Sequence, residues 1–97
     1  MITIKLVEYA GTFAENKDVA AKLRESMVLP ALKNTEEVTI DFSGVTGATQ
    51  SFVHALVSEA IRIFGPEVLD HVVFKGCNEN VQEIVLMVTD YMQESLS

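Results

Sequence analysis

"IDFSGVTGATQSFVHAL", residues 40–56, runs an apolar strand into a glycine-punctuated turn and opens a helix on the far side. Asp41 stands at the strand end, where its carboxylate can accept hydrogen bonds from amides of the turn that Gly44 and Gly47 permit. With Thr49 as the helix cap, Gln50, Ser51 and Phe52 become the first helical residues. Unpaired backbone donors and the positive end of the helix dipole meet there, so Ser51 is a physically favoured phosphate acceptor. The plainer alternative is that Thr49 and Ser51 merely cap the helix.

Outward from this junction, strand and helix patterns alternate. On the N-terminal side "ITIKLVEY" alternates Ile2, Ile4 and Leu6 with Thr3, Lys5 and Val7, the period of a strand with one better-buried face. Residues 15–33 then place Ala20, Leu23, Met27 and Ala31 at helical spacing, with Pro30 expected to kink or end that helix near Leu29. "EVTIDF" is the second strand. The helix from Ser51 stops at Gly65 and Pro66; Val53, Leu56, Val57, Ala60, Ile61 and Phe64 form its main stripe, and Phe52, Ala55 and Ile63 a second apolar edge. "DHVVFKG" is a third strand. A last amphipathic helix over 79–93 carries Val81, Ile84, Val85, Val88 and Met92 on one side, with Asn78 as its cap and Leu86 and Met87 off the stripe.

Three strands joined by helical crossovers predict an α/β fold of order β-α-β-α-β-α: a mostly parallel three-stranded sheet, with room for a short extra strand, packed by three helices. The length of 97 residues suits one domain, residues 1–97, with one modest core. The sheet's open edges and the spare apolar surface of the last helix make a homodimer a second possibility to weigh.

Charge narrows the partners. Seven Lys and Arg against 14 Asp and Glu give a net charge of −7, which disfavours nucleic acid and anionic membranes. No apolar run approaches the roughly 18 residues that span a bilayer, and Glu8 interrupts the opening, so a cytoplasmic protein is expected. Cys77 has no second thiol, and His54 and His71 lie far apart, so neither a disulfide, a metal site nor a cofactor is expected. Ser51, His54 and Asp41 can be drawn as a hydrolase triad, but the G-x-S-x-G turn is absent and no enzymatic activity is expected.

Over residues 38–92 the layout resembles the STAS domain of bacterial anti-sigma factor antagonists. In that family a strand ending Asp-Leu-Ser-Gly-Val leads to Asp-Ser-Ser-Gly-Leu at a helix start, and the second serine of that pair is phosphorylated by a partner kinase. "DFSGV" matches the strand end and Ser51 falls on the phosphorylated serine without a gap, while Thr49, Gln50 and Phe52 replace Asp, Ser and Gly. A Ser-Phe pair opening the helix after an Asp-Phe strand end is closer to the STAS-like domains of unknown function, whose members often carry acidic residues where this chain has His54 and Ala55. The resemblance implies a regulatory protein-binding module, a protein partner that in some members is a histidine-kinase-like ATPase, and phosphorylation at Ser51. Its contact surface would comprise Ser43, Thr46, Thr49, Gln50, His54 and Ala55, with Phe52 as an exposed apolar contact. The alternative is a constitutive interaction or homo-oligomeric assembly module without phosphorylation.

Overall fold

A computed structural model describes residues 1–96. Strands β1 (Ile2–Lys5), β3 (Val38–Asp41) and β5 (Val72–Lys75) form a parallel sheet in the order β1-β3-β5, registered Ile2 to Val38 to Val72. Both connections step the same way across the sheet, and right-handed crossovers that do so lie on one face. Side-chain burial agrees. Ile4, Val38, Ile40 and Val72 are buried on the helix side, while Thr3, Lys5, Val73 and Lys75 on the other side are exposed. The α/β class and the parallel three-stranded sheet are therefore as the sequence predicts.

The first strand is shorter than expected. It stops at Lys5, and α1 (Leu6–Ala10) follows. Its ladder partner β3 ends at Asp41, so Leu6 has no strand residue to pair with; it is buried from the helix instead. Two further short strands, β2 (Phe13–Ala14) and β4 (Gly47–Ala48), pair in parallel as a separate ladder, where the sequence suggested at most one extra strand.

The helix over residues 15–33 does not end at Leu29. Asn16 caps α2 (Lys17–Leu23), a π-helical turn covers Arg24–Val28, and α3 (Leu29–Lys33) continues through Pro30. Proline lacks an N–H and its ring collides with the carbonyl four residues back in a regular helix. The wider turn relieves that collision: the Leu29 N–H bonds to the Arg24 carbonyl, five residues back.

The long helix α4 (Gln50–Phe64) starts one residue before the predicted boundary and is stopped by Gly65. A 3-10 turn over Pro66–His71 leads into β5, and α5 (Glu79–Leu96) closes the fold. α4 packs between α2 and α5, so its whole inner circumference is used. Val53, Leu56, Val57, Ala60 and Ile61 are buried as expected, and Val81, Val85, Val88 and Met92 bury the matching stripe of α5. Among the described residues five α-helices replace the three expected, because α1 and the break after α2 add short segments.

Candidate functional site

The site is built from the turn upward. Asp41 closes β3, and its Oδ1 accepts a 2.9 Å hydrogen bond from the Ser43 amide. The Ser43 hydroxyl, then the Ser43 amide, hold the Asp41 carboxyl below its ordinary range, helped by Lys75 and Lys5 and opposed by desolvation. Gly44 takes φ +86°, which fits the turn role assigned to it. Gly47 serves differently: its backbone conformation is ordinary, but a Cβ there would fall 2.8 Å from the Phe13 ring. Glycine leaves room for the Phe13 side chain, whose ring lies over this point of β4.

The turn is tied on both sides. The Thr46 amide donates to the Thr12 carbonyl at 2.7 Å, its hydroxyl donates to the same oxygen at 3.0 Å, and the Thr49 amide donates to the Ala14 carbonyl at 3.0 Å. From the other side Asn78 Nδ2 donates to the Thr46 carbonyl at 2.9 Å, while Asn78 Oδ1 accepts from Val81 N–H at 2.8 Å as the cap of α5. One asparagine thus fastens the head of α5 to the turn that delivers α4.

Thr49 is the α4 cap, its Oγ1 accepting the Phe52 N–H at 3.1 Å. Ser51 is not a cap. It is exposed on the first turn, and among the described residues its hydroxyl has no hydrogen-bond partner. The two hydroxyls are therefore separated in role.

Ser51 lines a cleft of about 440 Å³ with Lys17, Gln50, His54, Ala55, Met87, Val88 and Tyr91. The walls come from the head of α2, the first turns of α4 and the middle of α5. Arg24, from the π-helical turn, donates at 3.1 Å to the Ala55 carbonyl and so fastens the α2–α3 segment to the α4 wall. Gln50 Nε2 reaches across to within 2.8 Å of Met87 Sδ. Lys17 brings a cation to the lining, and among the described residues no carboxylate lines the cleft, although the chain as a whole carries −7. A dianion at Ser51 would meet Lys17 and the amino end of α4 there.

The structure brings Gln50, Ser51, His54 and Ala55 together in this cleft, and leaves Ser43, Thr46 and Thr49 in the supporting turn. Phe52 corrects the sequence reading: it is fully buried, not an exposed contact. α2 and α5 flank α4 on both sides, so the second apolar edge turns inward at this position. Ile63, on the same predicted edge, is instead exposed. Lys17, Val88 and Tyr91 were not anticipated as site residues. Tyr91 left one trace in the sequence, an aromatic one helical turn beyond the off-stripe Met87.

Cys77 is partly buried, and burial first, then repulsion from Asp41, push its thiol up and away from reactivity. Among the described residues no group of three His, Cys, Asp or Glu could hold a metal ion, and no helix is long and apolar enough to cross a membrane.

No curated protein and no solved structure matches this chain. A family model described as a STAS-like domain of unknown function (DUF4325) matches residues 19–82, a stretch that takes in β3, the tied turn, all of α4 and β5. Since that match covers well over half of the 97 residues and includes the Asp-Phe strand end and the Ser-Phe helix start, the chain belongs to the STAS-like domain family of unknown function.

Proposed function

We propose that this chain is a non-enzymatic, cytoplasmic regulatory module that binds a protein partner through the first turns of α4, and that phosphorylation of Ser51 switches the contact. The observation that carries the reading is the division of labour at the helix head. Thr49 performs the capping, which leaves the exposed Ser51 hydroxyl, unbonded among the described residues, in a cleft that Lys17 also lines and that no described carboxylate lines. A phosphate of about −1.5 to −2 charge there is compatible with the free protein. In a closed interface it would have to be desolvated and would fill the cleft, so it weakens association. By resemblance to the anti-sigma factor antagonists, the enzyme that adds it is a histidine-kinase-like ATPase.

The first test is intact mass with site mapping on protein purified from its native host under phosphatase inhibition, together with whatever co-purifies. One phosphate on Ser51, and a companion protein released by Ser51→Asp but retained by Ser51→Ala, are the expected results. An unmodified Ser51 with a companion that binds both variants equally would overturn the switch. That outcome favours the second reading, a constitutive interaction or homo-oligomeric module, which the exposed Leu86, Met87 and Tyr91 of α5 support. Light scattering over a dilution series separates its two versions, since a monomer at every concentration removes self-assembly.

A further inference from the structure

The partner's chemistry is legible on the α5 wall of the cleft. α5 carries Glu79, Glu83, Asp90 and Glu94 and no Lys, Arg or His. At about 100° per residue, Glu79, Glu83 and Asp90 fall opposite the buried Val81, Val85 and Met92, forming an outward acidic ridge. Met87 and Tyr91, one turn apart and 51% and 62% exposed, lie between that ridge and the mouth of the cleft. Two exposed large apolar side chains bordered by carboxylates on one side and a helix-lined cleft on the other ask for an occupant that is apolar on one face and basic beside it.

We infer that the occupant is a cationic amphipathic helix of a partner protein. Its apolar residues, at i, i+3, i+4 and i+7 spacing, enter the groove between α4 and α5 over Met87 and Tyr91, and its Lys or Arg residues lie along Glu83 and Asp90. Methionine at the groove's edge adapts its shape to whichever side chain arrives. A second copy of this chain seated by its own α5 fits worse, because two acidic ridges would be brought together. The inference rests on the cleft being a partner surface and adds the kind of segment that fills it.

The probe is a synthetic amphipathic helical peptide of about 18 residues, long enough to hold helix, with leucines on one face and lysines beside them. Its control is the same peptide with every Lys changed to Glu. Backbone amide shifts on titration should concentrate at residues 50–55 and 83–91, and the control should bind at least about tenfold more weakly. E83Q/D90N and M87A/Y91A should each raise Kd about tenfold, with E67Q/D70N, at the far end of α4, leaving it within about twofold. Equal losses in E67Q/D70N would mean general attraction to an acidic protein and overturn the inference, as would shifts mapping elsewhere. Concentration-dependent dimerisation abolished by M87A/Y91A would overturn it in favour of a second copy. The switch at Ser51 is judged separately: peptide binding with Ser51 unmodified in the host defeats the switch alone, and phosphorylated Ser51 without peptide binding defeats this inference alone.

Discussion

Two hydroxyls, two residues apart at the head of α4, have different consequences when removed. Thr49→Ala leaves the Phe52 N–H without its cap and should cost about 1 kcal/mol in urea denaturation. Ser51→Ala removes a hydroxyl that bonds to nothing described and should stay within about 0.5 kcal/mol. If the two cost the same, Ser51 shares the capping and its availability as a phosphate acceptor is lost. Asp41 is the second residue with a measurable signature. Its folded-state pKa is depressed, so its contribution to stability is present above the ordinary carboxylate range and fades as pH falls through the lowered folded value. In a carbon-detected NMR titration Asp41 should titrate below an ordinary aspartate, and Ser43→Ala should move it upward; an ordinary value in the unmodified protein refutes the assignment. Asp41 and Thr49 were legible in the sequence because each acts on a neighbour two or three residues away. Lys17 and Arg24 were not, and Met87 showed only as an off-stripe apolar residue, because only the packing of separate helices brings Lys17, Met87 and Tyr91 to the cleft and Arg24 to its wall.

At the scale of elements, the helix starts were easier to read than the helix irregularities. Asn78 announced the head of α5, but its second bond, to the Thr46 carbonyl, spans 32 positions and leaves no local pattern. That bond gives a graded prediction. Asn78→Ala loses the cap and the tie and should cost about 2 kcal/mol, while Asn78→Asp keeps an oxygen for Val81 N–H, loses the donor to Thr46 and should fall between. Equal stability of the Asp variant and the native protein would show that the tie is energetically silent. Pro30 was read as kinking or ending the helix near Leu29, and the structure takes a distortion rather than an end. The usual rule treats the helix around a proline as regular, whereas here the π-helical turn before it moves the clashing carbonyl and lets the chain continue to Lys33. The same turn places Arg24 on the Ala55 carbonyl, so the irregularity also braces the cleft. Phe52 misled because a helix with a wide apolar circumference can either be buried deeply or face a partner. Flanking by both α2 and α5 decides for burial at its first turn.

Over the whole molecule, the strand order determines which surfaces are left for partners. A sheet of order β1-β3-β5 with both crossovers on one side has α2, α3 and α4 there, α5 packs against α4, and the cleft lies among these helices. Parallel sheets are usually covered on both faces, yet the second face here presents Thr3, Lys5, Val73 and Lys75 to solvent. The alternating strand pattern carried this information in part: Ile2 and Ile4 read correctly as one side, but Leu6 belongs to α1, and "DHVVFKG" gave two adjacent valines with nothing local to say which was inside. The register resolves it, since Val72 aligns with Val38 in the core and Val73 with Thr39 on the outer face. Threonine has the shape of valine with a hydroxyl in place of a methyl, so the two sites should answer differently to the same change. Val72→Thr buries a hydroxyl among apolar side chains and should cost about 1–3 kcal/mol in urea denaturation. Val73→Thr, at a site 45% exposed, should remain within about 0.5 kcal/mol. A loss at Val73 matching that at Val72 would mean that the outer face is covered in solution, and that would make the sheet itself, rather than the cleft beside α4, the first surface to search for an interface.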